Sequence, residues 1–210
     1  MDSVYKGQRH IYDFTRKYYL FGRDTLIEHL DARRPGMRVL EIACGTGRNL
    51  AKIGKRWPEA QLYGLDISSE MLKSARDAVG DHARLGLGDA CTFDPAEVFD
   101  EPGLREQGFD IVVLSYSLSM IPDWGKALSH AAAQVAPGGR LMVVDFGSLE
   151  GLPRPVQSLL HRWLAKFHVE ARRDLPQVAA DICRQQALGL ETMNGKLDYF
   201  QLHTLTRGWP

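Results

Sequence analysis

The sequence lacks the features that mark membrane-spanning, secreted and zinc-binding proteins. It has no run of about 18 apolar residues that would form a transmembrane helix and no signal-peptide pattern at its N-terminus. Its cysteines, Cys44, Cys91 and Cys183, are scattered and lack the paired spacing of a zinc site. We therefore expect a cytoplasmic protein, free or held peripherally on the inner face of the membrane, with no metal and with reduced cysteines in its core.

The chain also lacks an excess of charge of either sign. Its 26 basic and 26 acidic residues give a formal net charge of zero, whereas general nucleic-acid binding needs a basic surplus to neutralise phosphates. Nucleic acid is therefore not an expected partner. The 210 residues contain no long linker and no repeat, and 44% of them are hydrophobic, so one domain over residues 1–210 is expected.

Strand and helix patterns alternate through most of the chain, which predicts an α/β fold with a mostly parallel sheet and helices on both faces. The predicted strands are 38–42, 61–67, 83–87, 109–115 and 140–146. The predicted helices run from Gly47 to before Pro58, from Ser68 or Ser69 onward, and over 124–135, 154–168 and 176–188. Residues 190–193 and 197–205 flank Asn194-Gly195, a dipeptide that favours a tight hairpin turn with positive φ.

A tight glycine turn joins the first strand to the first helix. The apolar strand ends on Glu41, and Gly45 and Gly47 open the helix. Such glycines let the backbone approach a nucleoside, while the free N–H groups of the helix start point at the ligand. Leu50 stands where a dinucleotide fold needs the small third residue of G-x-G-x-x-G. Glu41 would repel a pyrophosphate, but it suits a ligand that carries an ammonium and a sulfonium.

The next strand ends on Asp66, nineteen residues after Gly47, about where an acidic residue binds ribose hydroxyls in nucleoside-binding folds. The two segments together predict a site for S-adenosyl-L-methionine, whose product after methyl transfer is S-adenosyl-L-homocysteine.

Four segments resemble the successive motifs of class I S-adenosylmethionine-dependent methyltransferases: residues 41–47, 66–68, 88–90 and 109–113. The resemblance covers about residues 36–147 and implies a Rossmann-like, seven-stranded, mostly parallel sheet with an antiparallel C-terminal strand. One departure is Ala43, where the family usually has its first glycine. Because alanine is the smallest replacement, we expect tighter backbone packing and a retained site.

The resemblance implies a role for each cofactor residue. Glu41 faces the methionine ammonium, Asp66 accepts from both ribose hydroxyls, and Asp89 reads the adenine amino group. The structural alternatives are a surface carboxylate, a helix cap and a turn aspartate, respectively. Ile67 and Met71 sandwich the adenine unless they are ordinary core residues. The complete predicted cofactor set is Tyr19, Arg23, Glu41, Ala43, Cys44, Gly45, Thr46, Gly47, Asn49, Asp66, Ile67, Met71, Gly88, Asp89, Ala90 and Ser115, with Arg23 on the methionine carboxylate.

A narrower resemblance concerns the N-terminal segment, residues 5–24. It is similar to the entry segment of bacterial N-methyltransferases that make the betaine lipid diacylglyceryl-trimethylhomoserine, and more loosely to phosphatidylethanolamine N-methyltransferases. The resemblance implies successive N-methylation of a lipid headgroup. The segment repeats tyrosine and arginine at three- and four-residue steps, so one helical face would carry Tyr5, Arg9, Tyr12, Arg16 and Tyr19. This face either closes the active site over the substrate or packs on the domain with its arginines in water.

The segment that leaves the fourth strand, residues 115–122, is expected to lie beside the reacting methyl group. It lacks the Asn/Asp-Pro-Pro-Tyr pattern of DNA and protein-amide methyltransferases. Tyr116 is the first candidate to orient an amine through its hydroxyl or its ring face, the alternative being a packing tyrosine. Tyr12 is expected to act with Tyr116 on the substrate, together with Tyr5 and Arg9, and His168 is a candidate proton acceptor.

The helix predicted over 154–168 is basic and carries Trp163. It is expected either to lie in a lipid interface or to cover the sheet. The predicted parts are a helical cap over 1–35, a cofactor core over 36–147, a substrate or membrane-facing element over 148–189, and a C-terminal hairpin over 190–210. The alternatives to a betaine-lipid enzyme are methylation of phosphatidylethanolamine, of a small amine or of a quinone precursor, and a non-catalytic cofactor-binding module.

Overall fold

The computed structural model describes residues 20–165 and 171–209. Within them, seven strands form one sheet in the order β3-β2-β1-β4-β5-β7-β6. Strands β1 to β5 are parallel, and β7 pairs antiparallel with both β5 and β6, which confirms the predicted Rossmann-like methyltransferase sheet. The strands are β1 (Arg38–Ile42), β2 (Gln61–Asp66), β3 (Ala83–Leu87), β4 (Phe109–Ser115), β5 (Val135–Phe146), β6 (Leu188–Asn194) and β7 (Phe200–Arg207).

The described helices are α1 (Arg23–His29), α2 (Arg48–Arg56), α3 (Ser69–Val79), α4 (Pro95–Val98), α5 (Leu104–Gln107), α6 (Trp124–Ala133), α7 (Arg154–Ala165) and α8 (Leu175–Gln186). Helix α2 begins after Gly47 and ends before Pro58, as the sequence predicts. Ser68 caps α3, because its side chain accepts a hydrogen bond from the backbone N–H of Met71. None of these helices is long and apolar enough to cross a membrane.

Successive residues of a strand point to opposite faces of the sheet, and helices cover both faces. One core cluster contains Leu40 and Val112 and packs under α6 and α8. The other contains Val39 and Ile111, each one position away, and packs under α1 and α2. Cys44 and Cys183 are buried in these cores as predicted, whereas Cys91 is only partly buried.

Two predicted helix–strand boundaries are wrong. Helix α6 ends at Ala133, and β5 begins at Val135 and continues through residues 137–139. There the strand backbones approach closely, since a Cβ atom on Gly139 would lie 2.7 Å from the Asp110 carbonyl oxygen. Helix α8 ends before Leu188, which begins β6, because Ala187 adopts a left-handed conformation with φ 55°. Helix α7 is described from Arg154 to Ala165; residues 166–168 of the predicted helix lie outside the described residues, so its end stays a prediction.

The predicted C-terminal hairpin is present, but its turn is not the predicted one. Gly195 is extended, with φ −75° and ψ 173°, and the positive φ values fall on Leu197 and Asp198. A Cβ atom on Gly195 would lie 2.2 Å from the Phe200 ring. Glycine is therefore required at this position for close packing and not for a left-handed backbone.

Candidate active site

Two adjoining cavities lie at the carboxyl edge of the parallel strands, where open α/β sheets bind ligands. The larger, about 640 Å³, lies between the ends of β2 and β3 and the segment after β4. The smaller, about 330 Å³, lies between the turn after β1 and the start of α1. Ala43, Gly45, Ser115 and Tyr116 line both cavities, so one extended ligand can occupy the two.

The turn after β1 brings the backbone to the ligand side of the sheet. Gly45 and Gly47 have φ values of 56° and 75°, a region that favours glycine. Gly47 also begins α2 close to α3, since a Cβ atom there would lie 3.1 Å from that of Ala75. Ala43 has φ 56°, so the departure from the family's glycine takes the form of backbone strain, which costs about 1 kcal/mol. Ala43 still lines both cavities, and the site is retained.

Glu41 is a buried carboxylate at the smaller cavity. It is 2% exposed, which is incompatible with the surface-carboxylate alternative. Its Oε1 accepts a hydrogen bond of 2.7 Å from Nδ2 of Asn49, and its Oε2 has no hydrogen-bond partner among the described residues. Burial raises the pKa of Glu41 to about 8, against the opposing effects of Asn49 and the Arg23 charge. A cationic ligand group would satisfy the orphan oxygen and restore the charge.

Asp66 braces the turn from the end of β2. Its Oδ2 accepts from the N–H of Gly45 at 2.8 Å, and its Oδ1 accepts from the N–H of Ser68 at 2.9 Å. It lines the larger cavity, and the α3 cap is provided by Ser68 and not by Asp66. Asp66 is therefore accessible to a ligand in the larger cavity, and its bidentate contact with the ribose stays a prediction.

The predicted adenine residues also line the larger cavity. Ile67 is 59% exposed, whereas Met71 and Ala90 are buried. Asp89 accepts a hydrogen bond of 2.8 Å from the N–H of Cys91, so it shapes the turn after β3, as the structural alternative states. Its carboxylate nevertheless contributes to the cavity wall, and its adenine contact stays a prediction.

The smaller cavity is closed on one side by the start of α1. Leu20 and Arg23 line it opposite Glu41 and Asn49, together with Cys44, Thr46 and Arg48 from the turn after β1. Asp24 fastens this helix to α2, because it pairs with Arg48 and with Lys52 at 2.8 Å each. Arg23 thus lines the smaller cavity, and its contact to the methionine carboxylate stays a prediction.

Tyr116 lies where the two cavities meet. It is more deeply buried than the packing tyrosine of the alternative interpretation would be. It is 3% exposed and has φ 53°, and its hydroxyl donates a hydrogen bond to the Phe21 carbonyl. Its ring packs edge-on against Phe146, with ring centroids 4.8 Å apart. Burial raises the pKa of Tyr116 well above its usual value. The residue therefore presents a neutral ring at the meeting point of the cavities.

The segment after β4 is fixed by two residues that the sequence prediction missed. Asp145, fully buried at the end of β5, accepts from the N–H of Ser119 at 3.1 Å, and burial raises its pKa to about 6. Arg172 donates to the carbonyls of Leu118 at 3.1 Å and Ile121 at 3.2 Å. Asp145 could have been predicted as a site residue, because it is an acidic residue at the end of an apolar strand. Nothing in the sequence brings Arg172 to this loop.

Five predicted residues cannot be placed. Tyr5, Arg9, Tyr12, Tyr19 and His168 lie outside the described residues. Their roles in substrate binding, catalysis and cofactor binding stay predictions.

The two cavities differ in charge. The larger is lined by Asp66, Asp89 and Asp123 and, among the described residues, by no lysine, arginine or histidine. The smaller contains Arg23 and Arg48 beside Glu41. This arrangement fits a ligand with a neutral nucleoside, a cationic centre and an amino-acid end. The described residues around both cavities therefore fit S-adenosyl-L-methionine.

Comparisons with known proteins identify the family. A family profile described as a methyltransferase domain matches residues 33–198. The ubiquinone/menaquinone biosynthesis C-methyltransferase UbiE of Idiomarina loihiensis is 31% identical over 150 residues, which are 70% of this chain and 55% of that protein. Trans-aconitate 2-methyltransferase of Variovorax paradoxus is 31% identical over 106 residues, 50% of this chain and 37% of that protein. The chain thus spans about half the length, or less, of the curated relatives it matches.

Solved structures show the same fold. An O-methyltransferase family protein from Burkholderia thailandensis superposes with a TM-score of 0.73 and 18% identity, covering 99% of this chain and 63% of that one. Phosphoethanolamine N-methyltransferase 2 of Haemonchus contortus, solved with S-adenosyl-L-methionine, superposes with a TM-score of 0.70 and 14% identity, covering 99% and 59%. Together with the family match, the sheet order and the two cavities, these findings show that the chain belongs to the class I S-adenosylmethionine-dependent methyltransferases.

Proposed function

We propose that the protein transfers methyl groups to the amine of a lipid headgroup, with diacylglyceryl-homoserine as the leading acceptor and the trimethylated betaine lipid as the product. The observation that carries this proposal is the charge of the larger cavity. Asp66 and Asp89 belong to the predicted nucleoside contacts, so Asp123, which follows the segment after β4, is the acidic side chain left for the acceptor, and no cationic side chain among the described residues lines this cavity. An amine gains positive charge as it is methylated, so this wall favours the product side of each transfer.

The same wall disfavours acidic acceptors. A polycarboxylate would have to approach Asp123 without a compensating base on the described wall of the larger cavity, and like charges at close range raise the free energy of binding. Trans-aconitate, the acceptor in the name of that relative, is therefore disfavoured as an acceptor for this chain. We expect the carboxylate of a homoserine headgroup to meet Arg9 of the N-terminal segment, which lies outside the described residues.

The bound cofactor would supply an electrophilic methyl group on a sulfonium. The chain's own contribution is alignment, because an in-line displacement on a neutral amine needs little acid–base assistance. Tyr116 is held by Phe146 and by its hydrogen bond to Phe21, so its ring is fixed in place where the cavities meet. An aromatic face attracts an ammonium increasingly as it becomes quaternary. Arg23 and Glu41 would hold the amino-acid end of the cofactor in the smaller cavity.

A lipid acceptor also implies that the protein binds to a membrane surface during methyl transfer. Helix α7 carries the exposed residues Arg154, Val156, Leu159 and Arg162, a mixture of basic and apolar side chains that suits an interface. This membrane-facing role of α7 is part of the proposal.

A second candidate is C-methylation of a quinone precursor. It is favoured by the 31% identity to the curated quinone-biosynthesis methyltransferase over 150 residues. A quinone ring gains no positive charge on methylation, so Asp123 would have no role toward that acceptor.

The test is mass spectrometry of lipids from cells that express the protein and contain diacylglyceryl-homoserine. Products heavier by one, two and three methyl groups are expected. Tyr116→Phe should retain much of the activity if ring attraction dominates, whereas Tyr116→Ala should lose at least tenfold, chiefly at the third methylation.

Cells that contain the acceptor and the folded protein but form no methylated lipid would contradict the proposal. Methylation of a quinone precursor by the same cells would establish the second candidate. Equal trimethylation by wild type and Tyr116→Ala would place the acceptor amine away from Tyr116.

A further inference from the structure

The turn between β6 and β7 carries an exposed leucine in a backbone conformation that leucine rarely adopts. Leu197 has φ 57° and ψ 27°, and Asp198 beside it has φ 51°. Glycine and asparagine usually occupy this left-handed region, because other side chains clash with the backbone there. Leu197 is nevertheless 55% exposed, so burial of its side chain in the core does not account for its presence.

The turn is rigidly attached to the segment that follows β5. The carbonyls of Asp198 and Tyr199 accept hydrogen bonds of 3.0 Å each from the N–H groups of Leu149 and Gly147. A Cβ atom on Gly147 would lie 2.1 Å from the Asp198 carbonyl oxygen, and one on Gly151 would lie 2.5 Å from the Leu197 Cα. The backbone of the turn therefore packs directly on this segment and holds Leu197 in one place.

Other exposed apolar side chains lie on the segments next to this turn. Phe21, 57% exposed, packs edge-on against Tyr199 with ring centroids 5.1 Å apart. Helix α7 begins three residues after Gly151 and exposes Val156 (46%) and Leu159 (67%), which lie one turn apart. We call Phe21, Val156, Leu159 and Leu197 the apolar rim.

The apolar rim adjoins the active site. Leu20 and Arg23, on either side of Phe21, line the smaller cavity, and the Phe21 carbonyl accepts the hydrogen bond of Tyr116. Whatever covers the rim is therefore placed beside the entrance to the cavities.

The charges beside the rim indicate what covers it. Lys196 precedes Leu197, and Arg154 and Arg162 flank the exposed apolar residues of α7; all three are exposed. Against them stand the exposed Glu150 and the half-buried Asp198 beside Leu197, whereas Asp24 near Phe21 is already paired with Arg48 and Lys52. Apolar tips between basic side chains match a lipid bilayer that contains anionic headgroups, with the apolar groups among acyl chains and the cations at the surface.

We propose that the apolar rim docks the protein on an anionic phospholipid bilayer, with Leu197 inserted as a fixed apolar anchor. This inference deepens the proposed function and rests on it, since a lipid acceptor must reach the cavities from a membrane. It assigns to the β6–β7 turn a role that the fold alone does not require.

The left-handed backbone makes Leu197→Asn a sharp test. Asparagine tolerates this conformation better than leucine, so the variant should unfold at the same denaturant concentration as wild type or a higher one. Its affinity for vesicles of phosphatidylcholine and phosphatidylglycerol should fall about tenfold, the effect of withdrawing one apolar side chain from lipid. Leu159→Asn should also weaken vesicle binding.

Trp209→Ser is the matched control. Trp209 is the most exposed of the large apolar residues described, at 76%, but it packs beside Gly138 at the opposite end of the sheet. This variant should bind vesicles as wild type does. Binding is measured by vesicle sedimentation at low salt, with S-adenosyl-L-homocysteine present.

Unchanged vesicle binding by both Leu197→Asn and Leu159→Asn would overturn the proposal, as would equal binding of wild type to vesicles of phosphatidylcholine alone. Wild-type dimers that Leu197→Asn dissociates, with no vesicle binding, would show instead that a second copy covers the rim. Methyl transfer to lipid in detergent micelles tests the proposed function separately from the docking surface. Transfer in micelles without vesicle binding would leave the proposed function standing and the docking surface rejected.

Discussion

At the scale of single residues, the most consequential side chain is Glu41, which is buried with one oxygen that has no hydrogen-bond partner in the described part of the chain. Its pKa rises from 4.5 to about 8. A carboxyl whose folded pKa is raised contributes stability below its unfolded pKa and loses that contribution as the pH rises through the folded value. The cofactor-free protein should therefore lose stability between about pH 5 and pH 8.

Glu41→Gln should remove this loss, because the amide cannot ionise. Between pH 6 and pH 9, the free energy of unfolding of the variant should rise relative to wild type by roughly 1 to 3 kcal/mol. Urea unfolding of the cofactor-free proteins at the two pH values measures the difference. The same substitution should weaken cofactor binding, since the negative charge that faces the ligand cation is lost. Parallel pH dependences of the two proteins would show that Glu41 is not the titrating group.

The sequence predicts the residues of the cofactor site better than it predicts their partners. Glu41, Asp66 and Gly45 could be chosen because their chemistry follows from one local strand–turn–helix segment. The hydrogen bond of Tyr116 to Phe21 joins residues that are 95 positions apart, and no local pattern encodes it. The left-handed backbone of Ala43 could not be predicted either, because an alanine in a sequence does not indicate a positive φ.

At the scale of elements, the segment after β4 is the part of the site most dependent on distant support. Arg172 bonds two of its carbonyls and lies over the Trp124 ring at 5.8 Å, and its own carbonyl accepts from Gln201 of β7 at 3.0 Å. The acceptor side of the larger cavity is thus held by the antiparallel end of the sheet.

Arg172→Met should lower kcat for methyl transfer about ten- to hundredfold, because small displacements of an aligned acceptor are costly. Arg172→Lys should recover part of the loss through one remaining donor. The control is Arg184→Met on α8, whose side chain is 71% exposed and pairs with Asp181, and whose kcat should equal that of wild type. Steady-state kinetics with a soluble amine, read beside the urea midpoint, separates positioning from unfolding. An unchanged kcat in Arg172→Met would show that the loop holds its position without this residue.

Element types were predictable where periodicity and caps agree, as in β1, α2 and the Ser68-capped α3. The errors occur where tertiary contacts override local signals. Asn194-Gly195 is a strong turn signal, but the ring of Phe200 occupies the space beside Gly195 and moves the turn to residues 196–198. The short helices α4 and α5 were not predicted, since four residues are too few to show a helical period.

At the scale of the whole molecule, the order β3-β2-β1-β4-β5-β7-β6 places the ends of β1, β2 and β4 beside one another. Glu41, Asp66 and Tyr116 therefore converge on one edge, although they are separated by up to 75 positions in the sequence. The alternation of strands and helices predicts this convergence, because carboxyl ends of parallel strands share an edge. The charge of each cavity could not be predicted, since it depends on which side chains of four loops meet there.

Because the cofactor would bridge these elements, its binding should stabilise the entire domain. S-adenosyl-L-homocysteine at 100 times its Kd should add about 2.7 kcal/mol to the free energy of unfolding, which raises the Tm of a domain of this size by roughly 5 to 10 °C. Asp66→Ala should weaken binding by about 1 to 3 kcal/mol and should remove about a third to nine-tenths of the shift at the same ligand concentration. Asp81→Ala, at an exposed carboxylate outside both cavities, should retain the full shift, and NAD should produce none. These Tm values are read from thermal scans at one fixed rate and pH. A full shift in Asp66→Ala, or an equal shift with NAD, would mean that the nucleoside is not held at the end of β2.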